Sequence, residues 1–333
     1  MRRRLVIALL GVMLAASMAA IAWAYLVVIY IPGHSFRAVP SALTEEQALL
    51  RDRLEHHVLV LSGEIGERHY WRPEAMHEAA AYIEQVFREA GYQPMRQQIE
   101  TREETFVNIE VRLPGSGNTD ESLVIGAHYD TVRGSPGADD NASGVAVLLE
   151  LARLLRDTRT ERSIRLVAFA NEEAPFFGSQ AMGSLNYARQ ARDDGDSIVG
   201  MMSLEMLGYF SDEPDSQFFP PLLDRFYPDQ GNFVAFVGSI EFRQLVRDAI
   251  SAFRNHAEVP SEGLAAPPQL RDIYRSDHWS FRQMGYPAIM ITDTANFRNP
   301  HYHGPHDVAE TLDYDTMARL TSALARSVTD MAH

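Results

Sequence analysis

The 333-residue sequence contains no cysteine, and its 30 basic residues are all arginine because lysine is absent too. The missing thiol excludes a cysteine nucleophile, a cysteine-ligated zinc finger or iron–sulfur cluster, a lipid-modified N-terminal cysteine and any disulfide. The missing amine excludes a Schiff-base enzyme that holds pyridoxal phosphate on lysine, and the lysine of a phosphate-binding P-loop. Positive charge is scarce overall: 45 acidic against 30 basic residues leave a formal charge of −15. Nucleic acid as a partner is excluded on that ground, since phosphate binding needs a cationic face. What remains for demanding chemistry is carboxylates, twelve histidines, hydroxyls and the metals such groups hold.

Charge is missing altogether from one long stretch. After Arg2, Arg3 and Arg4, residues 5–31 are uncharged; as a helix they would extend ~40 Å, more than the ~30 Å of a bilayer core. A cleaved signal has an apolar core of about 7–15 residues, whereas this run continues past the small triplet Ala20-Ile21-Ala22 to Leu26, Val27, Val28 and Ile29. The expectation is one N-terminal transmembrane helix, an uncleaved anchor over 5–31 behind a cytoplasmic tip at 1–4. Trp23, Tyr25 and Tyr30 then face the outer interface and residues 40–333 form a periplasmic or extracellular domain. Secretion after signal cleavage is the alternative. Nothing in the pattern sets an oligomeric state.

Thr44 with Gln47 three residues on resembles a capping box and opens a helix expected to reach Ile65; Pro73 and Gly91 bracket a second, with Ala79, Ile83 and Phe87 at helical spacing. The period then changes. Apolar runs at 106–113, 123–127, 164–170, 198–204, 233–237 and 288–291 read as strands, separated by helical stretches at 145–155, 180–192, 240–255 and 314–331. Such alternation predicts an α/β fold whose mainly parallel mixed sheet is sandwiched by helices. Ligands in these folds lie outside the carboxyl ends of the strands.

Acidic and imidazole groups recur at those ends. AHYDT follows the strand at 123–127 and carries His128 and Asp130; GADDNASG carries Asp139 and Asp140; NEEAPFFGS carries Glu172 and Glu173; SLEMLGYF carries Glu205; and NPHYHGPHD carries His301, His303 and His306. Each piece alone reads as a surface pair, a capped turn or a solvated helix start. Together, four clustered carboxylates with no lysine to offset them would repel one another unless a cation sat between them. Zinc takes imidazole nitrogen and carboxylate oxygen and leaves a position for water, and two zincs sharing a carboxylate need about five protein ligands. A spare carboxylate beside them is free to move protons.

In order and content, AHYDT, GADDNASG, NEEAPFFGS, SLEMLGYF, SDHWSF and YHGPHDVAETLDY resemble the co-catalytic di-zinc aminopeptidases. That family includes aminopeptidase Y and the secreted bacterial leucine aminopeptidases, with glutamate carboxypeptidase II and the glutaminyl cyclases as relatives. The resemblance covers about residues 106–314 and implies the phosphorylase/hydrolase-like zinc-exopeptidase fold, peptide substrates and two Zn²⁺, the second site being the less secured. It implies His128 as ligand of one zinc, Asp140 as the bridging carboxylate, Glu173 and His303 as ligands of the other, Glu172 as general base, and Asp130 as the acid that orients the His128 imidazole. Glu205 departs from the aspartate of the best-known members, and its extra methylene alters the reach of the ligand at the His128 site. The implied reaction is removal of N-terminal residues through a metal-bridged hydroxide, with Glu172 carrying the proton.

Substrate contacts are less marked. Tyr274 and Arg275 are candidates to polarise the carbonyl or meet a substrate carboxylate. Asp277 and His278 are expected to brace their loop, His301 and His306 to sit on the rim, and the aromatic-rich segment 206–232 to form a rim or lid. A glutaminyl-cyclase-like transferase and a non-catalytic membrane-anchored scaffold are the competing readings.

Overall fold

The computed structural model describes residues 2–117, 119–220, 223–267 and 269–333. Met1 of the expected tip, and Pro221 and Leu222 of the expected rim segment, lie outside the described residues. Helix α1 (Arg2–Ala24) is followed by one wider turn, Tyr25–Ile29. The expected capping box then opens α2 (Glu45–Val58), with Thr44 Oγ1 accepting from the Gln47 amide and the Gln47 side chain accepting from the Thr44 amide. Wider helical turns carry the chain to Ile65 before Gly66, at φ +78°, ends it. Helix α3 (Pro73–Glu89) begins on its proline, and Gly91, at φ +90°, follows its end.

Among the described residues eight strands form one sheet: β1 (Met95–Glu100), β2 (Thr105–Leu113), β3 (Glu121–His128), β4 (Ser163–Phe169), β5 (Ser197–Glu205), β6 (Val234–Ser239), β7 (Ser261–Ala266) and β8 (Ala288–Thr292). Their spatial order is β1-β2-β4-β3-β5-β8-β6-β7. The four inner strands β4, β3, β5 and β8 are mutually parallel, and β6–β7 is a further parallel pair. Antiparallel pairing joins β1 to β2, β2 to β4 and β6 to β8. The sheet is therefore mixed around a parallel centre, as expected.

Two strands escaped the sequence reading for opposite reasons. β1 is an edge strand reading MRQQIE, in which only Ile99 is buried, so it shows no apolar run. β7, the other edge, reads SEGLAA and lacks the β-branched and aromatic residues that mark strands. β3, by contrast, is buried from Ser122 through His128, which explains its unbroken apolar stretch.

One face of the sheet is covered by α2, α3, α4 (Gly144–Leu155), α6 (Arg243–Arg254) and α8 (Tyr314–Met331), which share a core including Leu54, Ile83, Phe87, Leu148, Phe253 and Leu324. The other face carries α5 (Gly183–Asp193) and α7 (His278–Gln283) around Phe169, Tyr187 and Phe281. Among the described residues no helix is long and apolar enough to cross a membrane, so the transmembrane helix expected over 5–31 is not shown by the structure.

The most costly side chain in this interior is Arg68, which is fully buried. Its guanidinium donates to five backbone carbonyls: Tyr129 at 2.8 Å, Leu61 and Gly66 at 2.7 Å, Pro136 at 2.9 Å and Gly137 at 3.0 Å. Main-chain bonds add to the clamp, because the Arg68 amide donates to Thr131 Oγ1 and its carbonyl accepts from the Thr131 amide. Burial lowers the guanidinium pKa to about 10, so it stays charged at neutral pH, with Asp307, Asp130 and Asp140 nearby to offset it. One cation thus pins the segment after α2 to the loop after β3. Removing it strands several buried acceptors, each costing ~1–3 kcal/mol. Arg68→Met is expected to lose ~3 kcal/mol or more and to lower Tm by ~5 °C or more in a thermal melt; a melt within ~1 °C of the parent would refute this support.

Candidate metal centre

The parallel centre of the sheet brings the carboxyl ends of β3, β4 and β5 side by side, in a register that pairs His128 with Phe169 and Gly126 with Ser203. His128 is the last residue of β3 and Glu205 the last of β5. Glu172 and Glu173 follow the end of β4, and Asp140 lies in the turn leading into α4. His303 arrives from the segment before α8, in the left-handed region at φ +57°.

These side chains converge as two groups with one member in common. His128 Nε2 lies 3.4 Å from Asp140 Oδ1 and 3.3 Å from Glu205 Oε2. His303 Nε2 lies 3.1 Å from Asp140 Oδ2 and 3.2 Å from Glu173 Oε1. Within each group the donor atoms fall within 4.8 Å of one another. Asp140 therefore turns one oxygen to each group, as a carboxylate bridging two cations would. All four carboxylates here, including Glu172, are buried, and among the described residues no arginine pairs with them. Asp140 Oδ1 is buried without a hydrogen-bond partner.

The protonation pattern shows the strain of that charge. Burial pushes the Glu172 carboxyl well above the ordinary carboxylate range and Glu173 up to about 7. Burial works against charge on both imidazoles as well. Even so, Asp140 and Glu173 raise His303 to about 10, and Glu205 with Asp130 and Asp140 raises His128 well above its usual value. Burial alone would raise Asp140, yet the two imidazoles hold it below its ordinary value. A donor set of imidazole nitrogen and carboxylate oxygen, with an unpaired oxygen aimed inward, fits zinc.

Neighbouring groups hold these ligands in place. Asp130 Oδ1 lies 3.5 Å from His128 Nδ1, and the Asp130 carboxylate also accepts the amides of Glu172 and Glu173, both at 3.0 Å. It thus fixes the loop after β4 as well as the imidazole, a second task the sequence did not disclose. Asp307 accepts the amides of Asp139 and Asp140 at 2.8 and 3.1 Å, and Ser276 donates to Glu205 Oε2 at 2.6 Å. Both lie inside motifs already singled out, YHGPHD and SDHWSF. Neither residue type distinguishes itself there, which is why they were missed. Asp139 joins neither group and holds its turn instead, accepting from the Gly208 amide and the Asn299 side chain.

The remaining candidates divide. His301 and His306 pack edge to face against each other and join neither group. His278 braces its loop through Ile273 O at 2.7 Å. Asp277 does not brace through a hydrogen bond: it is fully buried, neither oxygen has a partner, and burial pushes its carboxyl to about 7. Tyr274, a candidate substrate contact, is held within the fold. Its ring stacks on His278 and its phenol donates to Ala266 O at 3.1 Å, so the hydroxyl is committed to the edge strand β7. Arg275 is half-exposed and donates to the Tyr302 hydroxyl at 2.9 Å, while the Tyr302 ring stacks on His303 at 3.8 Å. Tyr302, unmarked in the sequence, is the phenol beside the ligands.

Next to the Glu205 side lies an apolar pocket of about 100 Å³, lined by Phe219, Tyr227, Phe233, Leu264, Ile273 and Met290, with Glu205, Arg275 and Tyr302 also on its wall. Segment 206–232 supplies Phe219 and Tyr227, stacked at 5.6 Å. The expected rim is therefore partly the wall of this pocket.

Comparison with known proteins agrees with this geometry. Over 283 residues the chain is 37% identical to the uncharacterised protein YfbL of Escherichia coli K12, covering 82% of this chain and 86% of that one. It is 25% identical to leucine aminopeptidase 1 of Trichophyton equinum, covering 79% and 69% respectively. The fold is shared with a zinc aminopeptidase from Bacillus subtilis at a TM-score of 0.68 and 15% identity, over 84% of this chain and 95% of that one. The family model described as Peptidase family M28 matches residues 108–328, a span that contains all the converging carboxylates and imidazoles, and the chain belongs to that family.

Proposed function

We propose that the chain is a zinc-dependent aminopeptidase that binds two Zn²⁺ and removes N-terminal residues from peptides. The observation that carries this reading is Asp140, whose two carboxylate oxygens each face a separate His-and-Glu pair. In this reading His128, Asp140 and Glu205 hold one ion, and Asp140, Glu173 and His303 hold the other. Zinc, when bound, supplies a Lewis acid for the scissile carbonyl and acidifies water.

The protein's own groups do the rest. Glu172 joins neither donor group and is buried, so its carboxylate is free to accept a proton from the attacking water and pass it to the departing amine nitrogen. The backbone bonds from Glu172 and Glu173 to Asp130 set that carboxylate at a fixed height above the strand end. The apolar pocket beside Glu205 accepts the side chain of the residue being removed. Arg275 and the Tyr302 hydroxyl line the same wall, where they can meet a peptide carbonyl or carboxylate. The intact set of five ligands plus Glu172 favours hydrolysis over cyclisation of N-terminal glutamine, and over a non-catalytic scaffold.

We also propose that residues 5–31 anchor the enzyme, with its N-terminus cytoplasmic and its catalytic domain periplasmic or extracellular. Support comes from the uncharged run and from the exposure of eleven large apolar side chains between Ile7 and Tyr30. Val12, Met13 and Leu14 are consecutive and all exposed, so the helix has no single face to bury on a protein.

Glu172→Gln is expected to keep its metal and lose ~10²-fold or more in kcat on leucyl arylamides; turnover near the parent level would remove Glu172 from the role. Metal analysis is expected to give two zincs per chain, with activity lost on chelation and restored by Zn²⁺. His128→Ala should then hold one, whereas a single zinc in the parent together with pyroglutamate formation from Gln-peptides would favour the cyclase. Cell fractionation should place the whole chain in the membrane pellet; a soluble mature protein beginning after residue 20 would sink the anchor.

A further inference from the structure

The far end of the apolar N-terminal helix packs behind the wall of the apolar pocket. Val28 and Ile29 pack against the cluster of Phe233, Leu264, Ile273 and Met290 that lines the pocket, as Phe219 and Tyr227 also do. Ile31 presses on Gly263 of β7, closely enough that a Cβ there would meet its side chain at 2.8 Å. Arg254 donates to Pro32 O at 2.8 Å, and Arg247 donates to Leu26 O. The segment 25–33 is thereby fixed on the edge strand β7. The loop that walls the pocket is tied to that strand as well, through Tyr227 Oη and Gly263 O at 2.8 Å.

That loop alternates its aromatics. Phe219 and Tyr227 turn inward, while their neighbours Phe218 and Phe226 stand 64% and 52% exposed. Phe226 also meets Tyr25, ring centroids 6.3 Å apart, and Tyr25, Leu26 and Tyr30 are themselves about half exposed. This is an unpaired apolar and aromatic surface continuous with α1.

Its occupant follows from length. If residues 5–31 span a bilayer as proposed from the sequence, then counting from Leu5 at 1.5 Å per residue a core of ~30 Å would be crossed after about 20 residues, at Ala24 or Tyr25. Tyr25 then sits at the outer boundary of the hydrocarbon, where aromatic side chains concentrate. On that placement Phe226, whose ring lies 6.3 Å from that of Tyr25, would come level with the headgroup layer, and the exposed Arg225 beside it would face lipid phosphates.

Resting on the anchor reading above, we infer that Phe226 and Arg225 on the pocket-wall loop, with Tyr25, Leu26 and Tyr30, form a surface that contacts the phospholipid bilayer. The peptidase domain would then be docked on the membrane face, with its apolar pocket beneath that contact, in place of hanging from a free tether.

Because the chain has no cysteine, single nitroxide labels can be placed without removing any native thiol. The full-length protein would be reconstituted in phosphatidylcholine–phosphatidylglycerol vesicles and labelled in turn at Met13→Cys, Phe226→Cys, Arg225→Cys and Asp157→Cys, the last on an exposed turn after α4. Accessibility to a water-soluble nickel chelate and to oxygen is then read by power saturation. The expected result is a Met13 label shielded from nickel, an Asp157 label freely accessible, and labels at 225 and 226 with several-fold less nickel access than at 157. Labels at 225 and 226 as accessible as at 157, with Met13 shielded, would overturn the docked face and leave the anchor standing. A Met13 label open to nickel would overturn the anchor, and the bilayer contact with it.

Discussion

Four carboxylates within reach of one another, all buried and none paired with an arginine among the described residues, form a centre that the polypeptide alone does not neutralise. The same carboxylates raise the proton affinity of His128 and His303, which shows how strongly the site favours positive charge between them. Much of the surrounding structure serves to hold these repelling groups where they are. Asp130 and Asp307 accept main-chain amides of the ligand-bearing loops, so each loop is fixed through its backbone and the ligand side chains are left free. Ser276 aligns Glu205, whose longer side chain would otherwise have more freedom than an aspartate at the same place.

Two of those supports are themselves acids. Asp307 lies close to Asp139 and Asp140, and burial lifts its carboxyl to about 7. Anions supporting anions would fail without compensation. It comes from backbone N–H groups and from Arg68, whose charge lies near Asp307, Asp130 and Asp140 although its hydrogen bonds go to carbonyls. The centre thus draws on dipoles and one distant cation, leaving the space between Asp140, Glu172, Glu173 and Glu205 for metal.

The order of motifs along the chain was legible because chemistry at a strand's carboxyl end must follow directly on an apolar run, and His128, Glu172, Glu173 and Glu205 all do. The parallel centre was legible for the same reason: only strands buried on both faces read as continuous apolar stretches. The edges β1 and β7 were not: β1 buries only Ile99 and so needs no apolar run, and β7, though largely buried, is built from small residues that carry no strand signature. Nor could spacing show which tyrosine reaches the centre. Tyr274 and Tyr302 each lie beside a charged motif residue, and only the fold turns one toward β7 and stacks the other on His303. Arg68 stood in no motif at all, because a side chain that bonds only carbonyls leaves no partner residue in the sequence to betray it.

The position of Arg68 bears on where the catalytic unit begins. The family match opens at residue 108, and every proposed metal ligand lies within it. The guanidinium that closes the loops at Tyr129, Pro136 and Gly137 comes from forty residues earlier, and the carbonyls of Leu61 and Gly66 complete its shell. A fragment cut at the family border would keep its whole ligand set and lose the cation beneath it. A piece that keeps this clamp must therefore include Leu61 as well as Arg68, well before the family border.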